Sequence, residues 1–249
     1  MGNVESLTTH RFLRESTTPL HDAVELASPL SRLSADTSTT LPEYIGMLQD
    51  LHEVLEALEP IAESAVYRNL AASGSKIPKT HMDDLAAGYF FQRRRLAAAD
   101  LAQLSVCERA TRPELAELAS RMNHSSLTTQ MGLAYVLMGQ SLGAAMLHRC
   151  LMTRNPELLA DIGPSAQAMA QEAKPPFSFF AGHGKSSAQY WSIFLALLET
   201  SVDVSEAAAC REALDGAICG FEGFRMVWPG RTQIAGDAHT QQIDAETPL

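Results

Sequence analysis

An uncharged segment in the middle of the chain, residues 125–147 (SSLTTQMGLAYVLMGQSLGAAML), constrains the fold more than any other feature of the sequence. A membrane-spanning helix needs about 20 predominantly apolar residues. Three glycines and several Thr, Gln and Ser residues make this segment a poor candidate for one. Its composition is more typical of a helix that is buried on all sides in a soluble protein. We therefore predict a central helix here, covered by the other helices of the domain.

Two glycines of this segment, Gly139 and Gly143, lie four residues apart and so share one face of the predicted helix. A glycine inside a helix costs about 0.5–1 kcal/mol relative to alanine. A helix that carries both therefore needs a neighbour that approaches its backbone closely. A second helix and a flat ligand both satisfy this requirement, and the spacing alone does not choose between them.

The overall composition narrows the classes of partner and cofactor. The chain has 249 residues, 46% of them hydrophobic, which suits one large domain with a sizeable core. Its net charge of −10 argues against nucleic acid and anionic membranes as main partners. The four cysteines form no C-x-x-C pair, which argues against a zinc or iron–sulfur site. Because residues 1–20 hold no apolar block typical of a secretion signal, we expect a cytoplasmic location.

Apolar residues recur at helical spacing along most of the chain, and no segment shows the alternation that is typical of strands. We predict an all-α, single-domain fold over residues 1–228, followed by a loose tail over residues 229–249. The predicted helices cover residues 6–25, 43–59, about 80–104, 113 into the central segment, 187–202 and 204–227. The predicted loops are residues 28–41 and 174–186.

Local signals predict where two helices bend or end and where one basic cluster lies. Pro19 removes a backbone donor, so it should kink or restart the first helix, with Thr17 or Thr18 capping the new turn. Pro60 should end the second helix. The three arginines at 93–95 should be solvated or paired with nearby acids.

One face of the first helix carries a candidate ligand site. His21 and Glu25 are four residues apart, and Arg14 lies two turns before His21 on the same face. A histidine can bind a metal ion through one ring nitrogen while a carboxylate orients the other, and an arginine can pair with an anionic group of a ligand. Taken alone, this pattern is typical of surface pairs. Together with the glycine helix, it predicts two helices that hold a planar macrocycle between them.

These two segments together resemble the heme oxygenase family, particularly its bacterial branch. On the proximal side the matching residues are LREST at 13–17, His21 and Glu25. On the distal side they are LAYVL at 133–137, Gly139, Ser141, Leu142 and Gly143. The resemblance extends over about residues 7–228 and implies a helical bundle in which heme is sandwiched between a proximal and a distal helix.

The resemblance also implies roles for individual residues. His21 would be the proximal ligand of the heme iron, and Glu25 would be the partner that orients it. Arg14, Tyr135 and Arg149 would contact the heme propionates. The distal helix would face the heme through Gly139, Gln140, Ser141 and Gly143.

The activity that the resemblance implies is the conversion of heme to biliverdin, carbon monoxide and ferrous iron, with heme as both cofactor and substrate. Dioxygen and electrons from a reductase, a ferredoxin or ascorbate would be required. The biliverdin could pass to a bacterial phytochrome, or the reaction could serve iron acquisition. The sequence does not choose between these two uses.

Three positions depart from the family pattern. Gln140 stands where mammalian members have an aspartate, Ser192 where many relatives have a basic residue, and Met138 where bacterial relatives often have glutamate. The departures at Gln140 and Ser192 keep open a heme carrier or sensor without catalysis. A heme-free enzyme of the same superfold is the other alternative. A thiaminase-like hydrolase needs a nucleophilic cysteine in a pocket, and a diiron oxygenase needs a cluster of carboxylates and histidines. The sequence shows neither pattern.

Overall fold

The computed structural model describes residues 8–34, 39–73, 91–162, 177–182 and 186–228. Within these residues every regular element is a helix, which confirms the all-α prediction. The helices are α1 (Thr9–Ala27), α2 (Leu30–Ser34), α3 (Leu41–Ser73), α4 (Arg93–Gln103), α5 (Pro113–Asn123), α6 (Leu127–Arg154), α7 (Pro156–Asp161), α8 (Ser178–Ala181), α9 (Ser187–Ser201) and α10 (Ala207–Val227). The predicted tail and the predicted helix start near residue 80 lie outside the described residues.

The uncharged segment forms α6, as predicted, and this helix lies at the centre of the fold. Ser126 caps it, because its side chain accepts a hydrogen bond from the backbone N–H of Thr129 at 3.1 Å. The part of α6 over residues 130–138 is buried, and the helix packs on α3, α8, α9 and α10. Among the described helices, none has both the length and the hydropathy that crossing a bilayer requires.

Glycines bring α6 and α10 into direct backbone contact. A Cβ atom at Gly132 would overlap the carbonyl oxygen of Ala213 on α10. A Cβ atom at Gly216 would overlap the carbonyl oxygen of Thr129 on α6. Gly132 is therefore the glycine of α6 at which these two helices cross closely. Gly139 and Gly143 are not at this crossing.

Helix α1 continues through Pro19, so the predicted restart with a threonine cap is wrong. The hydroxyls of Thr17 and Thr18 donate instead to the carbonyl oxygens of Leu13 and Arg14, one turn back, at 2.7 Å each. Such bonds occupy both hydroxyls inside a continuing helix. Arg14, His21 and Glu25 therefore lie on one continuous helix, as their predicted common face requires.

Helix α3 also continues through Pro60 and reaches Ser73, so the end predicted at Pro60 is wrong. Beyond the proline, the helix buries an apolar face that consists of Ile61, Ala62, Ala65, Val66 and Leu70. Most helix stability in proteins comes from packing of this kind rather than from intrinsic propensity. The packing offsets the backbone hydrogen bond that a proline removes.

The predicted loop over residues 174–186 contains the short helix α8, so the prediction is wrong for residues 178–181. Asp100 of α4 caps this helix by accepting the backbone N–H groups of Ser178 and Phe179 at 3.1 and 2.9 Å. Burial of Phe179 and Phe180 stabilises the turn. The predicted loop over residues 28–41 likewise contains α2.

The arrangement of α1, α6 and α10 leaves a cleft on one side of the bundle. Helices α1 and α6 each pack on α10 but hardly touch each other. Helix α10 therefore forms the floor of the cleft, and α1 and α6 form its opposite walls. Glu199 of α9 fixes the start of α1, because its carboxylate accepts the backbone N–H groups of Thr9 and His10 at 2.9 Å each.

Candidate functional site

Two adjoining cavities, with volumes of about 320 and 390 Å³, lie in the cleft between α1 and α6. The residues that line both cavities are His21 from α1, Gly139 and Gln140 from α6, and Phe221 from α10. Small-molecule sites commonly have volumes of about 300–1,000 Å³, with mostly apolar walls and a few polar groups. The cleft therefore has the size of a ligand site, and all three helices contribute to it.

His21 lies where the two cavities meet, and 62% of its side chain is exposed. Its Nδ1 atom lies 3.6 Å from a carboxylate oxygen of Asp22 and 3.7 Å from one of Glu25, which is too long for direct hydrogen bonds. The ring stands edge-on to Phe221, with 6.2 Å between the ring centroids. Because both carboxylates lie near Nδ1, Nε2 is the nitrogen that can bind a ligand.

The carboxylates around His21 also define a group with metal-binding spacing. In the part of the chain that the structure describes, His21, Asp22 and Glu25 are the one such group whose ligand atoms lie near enough to share an ion. All three side chains are exposed. Sequence reasoning paired His21 with Glu25 but missed Asp22, although its place next to the histidine was visible.

Gly139 and Gly143 face the cleft rather than another helix. Among the described residues, a Cβ atom at Gly143 would meet nothing within 4 Å. In the described part of the chain, a Cβ atom at Gly139 would meet only the ring of Trp191, at 3.7 Å, which is an ordinary contact. These two positions therefore leave room beside the backbone of α6 that a side chain would fill.

A buried arginine stands behind Gln140. Arg93 of α4 is 5% exposed, and its Nη1 donates a hydrogen bond to Oε1 of Gln140 at 3.0 Å. Its guanidinium carbon lies 4.3 Å from the centre of the Phe179 ring. Burial lowers the pKa of Arg93 to about 10, while the charge of Glu59 opposes this effect. A protonated guanidinium at neutral pH is thus held directly behind the cleft wall.

Sequence reasoning missed this role of Arg93, which is neither solvated nor exposed. The prediction holds for its neighbour Arg94, which lies 3.7 Å from a carboxylate oxygen of Glu56. The signal that could have separated them is helical spacing. Arg93 shares a helix face with Ala97 and Leu101, which are both fully buried.

Glu59 of α3 is the buried acid that acts on Arg93. One carboxylate oxygen accepts the backbone N–H of Arg94 at 2.9 Å, and the other has no hydrogen-bond partner within the described residues. Burial raises the pKa of Glu59 from 4.5 to about 7. The carboxyl group therefore changes its protonation state near neutral pH.

The raised pKa of Glu59 predicts a pH dependence of stability. Between pH 4.5 and pH 7 the folded protein keeps a proton on Glu59 that the unfolded chain releases. The free energy of unfolding should therefore fall as the pH rises through this window, by up to about 3 kcal/mol. Glu59→Gln removes the titrating group, so urea unfolding should show the wild type losing stability relative to the variant across the window. Parallel pH profiles of the two proteins would contradict the assignment.

Arg14 and Tyr135 line the second cavity, together with Trp191. The rings of Tyr135, His10 and Trp191 contact one another, with centroid distances of 6.0 Å from Tyr135 to His10, 5.6 Å from Tyr135 to Trp191 and 5.8 Å from His10 to Trp191. Burial raises the pKa of Tyr135, and the nearby charge of Arg14 partly opposes this. The exposed guanidinium of Arg14 thus stands at the cavity rim, where it can pair with an anionic group of a ligand.

Three other residues singled out in the sequence do not line either cavity. Ser141 is buried, and its hydroxyl donates to the carbonyl oxygen of Met138 on its own helix at 2.6 Å. Arg149 is exposed on α6. The hydroxyl of Ser192 is also used within its helix, where it donates to the carbonyl oxygen of Ala188 at 2.9 Å.

Four apolar residues complete the cleft, and of these the sequence reasoning had named only Leu142. Phe221 and Phe224 come from the floor helix α10, and Leu142 and Met146 come from the α6 wall. Leu142 and Met146 are 40% and 57% exposed, which places an apolar rim beside the cavities. Spacings of three and four residues on one helix were the signal that could have revealed both pairs.

Comparison with protein-family models and with curated protein sequences gives no match for this chain. The resemblance to the heme oxygenases therefore stands on the motif residues of the sequence.

Proposed function

We propose that this protein is a heme oxygenase, which binds heme in the cleft between α1 and α6 and converts it to biliverdin, carbon monoxide and ferrous iron. One observation carries the proposal: His21 from one wall and Gly139 from the other border both cavities, and Gly143 borders the first of them. Bound heme would supply an iron centre that activates dioxygen, with electrons from a reductase, a ferredoxin or ascorbate.

The residues of the cleft fit a flat, largely apolar ligand with a metal and an acidic edge. His21 would bind the iron through Nε2, while Glu25 and Asp22 stay beside Nδ1 and orient the ring. Phe221 and Phe224 would support the macrocycle from the floor. Arg14 would pair with a carboxylate at the rim through a charge-assisted hydrogen bond.

The distal wall contributes room beside the α6 backbone and a polar side chain. The open positions at Gly139 and Gly143 allow a macrocycle to lie close to the backbone of α6. Gln140 is the polar residue of this wall that both cavities share. The apolar rim at Leu142 and Met146 would limit the access of water to the bound ligand.

A heme carrier or sensor without catalysis is the second candidate, and two observations favour it. Gln140 replaces the aspartate of mammalian relatives, and the hydroxyl of Ser141 is bound within its own helix. The heme-free alternatives find less support in the cleft. No cysteine lines either cavity, as a thiaminase-like hydrolase would need. The acidic group at His21 offers one histidine and two exposed carboxylates, which is fewer than a diiron site uses.

Titration of the purified protein with hemin tests the proposal at its first step. A saturable Soret band with a histidine-ligated spectrum is the expected result. A protein that leaves the spectrum of free hemin unchanged would contradict both the oxygenase and the carrier. Addition of ascorbate and dioxygen then separates these two candidates, because only the oxygenase forms a bilin.

Gly139→Ala tests whether α6 faces a ligand at this position. The added methyl group fits the empty cleft, because its nearest neighbour is the Trp191 ring at 3.7 Å. The ligand-free protein should therefore be as stable as the wild type, or more stable by about 0.4–1 kcal/mol. Heme binding should weaken or bilin formation should slow, because the methyl group occupies space that the macrocycle needs.

Thermal unfolding of the ligand-free variant and spectra after hemin addition measure both effects. Gly143→Ala should behave in the same way, since a Cβ atom there meets none of the described residues within 4 Å. A destabilised ligand-free protein that degrades heme normally would show that these glycines serve helix packing instead.

A further inference from the structure

The hydrogen bond between Arg93 and Gln140 determines which end of the Gln140 amide faces the cleft. A guanidinium group only donates hydrogen bonds, so the atom of Gln140 that contacts it must be the oxygen, Oε1. The amide nitrogen Nε2, which only donates, is then turned away from Arg93. Within the described residues no hydrogen bond engages this nitrogen, and Gln140 lines both cavities.

Arg93 is held firmly in the position from which it makes this bond. Its side chain is buried, and its guanidinium carbon lies 4.3 Å from the centre of the Phe179 ring. Its Nε atom has no hydrogen-bond partner within the described residues, so the bond to Gln140 carries much of its polar pairing. Breaking that bond would leave a buried charge poorly paired, which is costly. The orientation with the Gln140 oxygen toward Arg93 is therefore strongly favoured.

We infer that Arg93 is a positioning residue that fixes Gln140 as a hydrogen-bond donor toward the cleft. This part of the cleft should then favour a bound atom that accepts hydrogen bonds, such as an anion or an oxygen atom on the distal side of the heme iron. The inference rests on the proposed function, because the iron is what would hold such an atom there. An aspartate or serine in place of Gln140 would not carry this fixed polarity, since a carboxylate accepts and a hydroxyl does either.

Two iron ligands of opposite hydrogen-bonding character can test this polarity. Fluoride bound to ferric iron is an anion that accepts hydrogen bonds. Imidazole bound through one nitrogen presents an N–H group that donates. Dissociation constants for both ligands can be measured by spectral titration of the ferric heme complex, without any turnover.

In Arg93→Met the side chain keeps its length but loses its donors, so the Gln140 amide becomes free to turn. Fluoride affinity should fall by about 2–10-fold, the worth of one hydrogen bond, while imidazole affinity should not fall. Arg93→Lys retains a donor and should keep fluoride affinity within about twofold of the wild type. Circular dichroism of each variant shows whether it is folded.

Gln140→Glu provides a second test that does not depend on the folding of the arginine variants. A glutamate would keep the pairing with Arg93 but would turn an acceptor oxygen toward the cleft. Fluoride affinity should therefore fall by at least about 2–10-fold relative to the wild type. Unchanged fluoride affinity in Gln140→Glu would overturn the inference, and so would an equal loss of fluoride and imidazole affinity in Arg93→Met.

The failure of the proposed function would look different. In that case the wild-type protein would form no heme complex, before any variant is compared. A wild-type heme complex whose variants show no selective loss of fluoride would leave the proposed function standing and remove only the role of Arg93.

Discussion

Replacement of His21 by alanine should abolish the histidine-ligated heme spectrum and lower bilin formation by more than about 100-fold. Loss of a residue that only orients a metal ligand costs about 10–100-fold in metal affinity or activity, and loss of the ligand itself should cost more. Within the described residues, no other histidine lines the two cavities, so no neighbour can take its place. Hemin titration followed by turnover with ascorbate measures both effects.

Imidazole and a second histidine provide the controls for this variant. The side chain of His21 is 62% exposed, so added imidazole can enter the space that alanine leaves and should restore a ligated spectrum. His124 is exposed at the end of α5, and its Nδ1 lies 2.7 Å from the carbonyl oxygen of Ser120. His124→Ala should leave heme binding unchanged. A normal heme spectrum in His21→Ala without imidazole would remove His21 from the site.

Gly216→Ala should have the largest effect on the stability of the fold. Its Cβ atom would overlap the carbonyl oxygen of Thr129, which is backbone and cannot rotate away, and would lie 3.0 Å from the amide nitrogen of Leu133. Helices α6 and α10 must therefore move apart. The expected loss is about 3 kcal/mol, at the upper end for overpacking, or a fall of about 6–12 °C in the melting temperature.

Gly46→Ala is the matched control for this substitution. Gly46 is also a glycine inside a long helix, α3, but a Cβ atom there meets no other described residue within 4 Å. This variant should be stabilised by about 0.4–1 kcal/mol. Equal melting temperatures for the two variants would show that α6 and α10 do not cross as closely as described.

The all-α fold and the central place of α6 were predictable because they depend on local features of the sequence, the helical spacing of apolar residues and the uncharged composition of one long segment. A long uncharged helix is stable in water only when other helices cover it, whichever helices these are. The ends of the helices depend instead on tertiary packing. Pro60 is a local stop signal, and only the burial of the helix face beyond it, including Val66 and Leu70, overrides that signal.

The sequence could not separate the glycines of α6 by function. Gly132, Gly139 and Gly143 all interrupt the same helix, and their spacing allows either a helix or a ligand as the neighbour. The position of α10 distinguishes these glycines, because it places Ala213 against Gly132 and leaves Gly139 and Gly143 facing the cleft. That position depends on tertiary packing, which the local sequence does not determine.

Part of the candidate site could have been predicted from helical geometry. Ser141 lies two residues from both Gly139 and Gly143, which puts it on the opposite side of a helix with 3.6 residues per turn. Its burial away from the cavities follows from that spacing. The bond between Arg93 and Gln140 was not predictable in this way, because it joins two helices whose relative placement no local pattern contains.

A single turnover of the heme complex tests the central claim most directly. The purified protein is loaded with hemin and supplied with ascorbate and dioxygen in the presence of catalase, which removes free hydrogen peroxide. We predict that the heme spectrum disappears and that biliverdin, carbon monoxide and ferrous iron form in equal amounts. A heme complex that stays intact under these conditions, or heme loss that catalase suppresses, would contradict the assignment of this cleft as the site of a heme oxygenase.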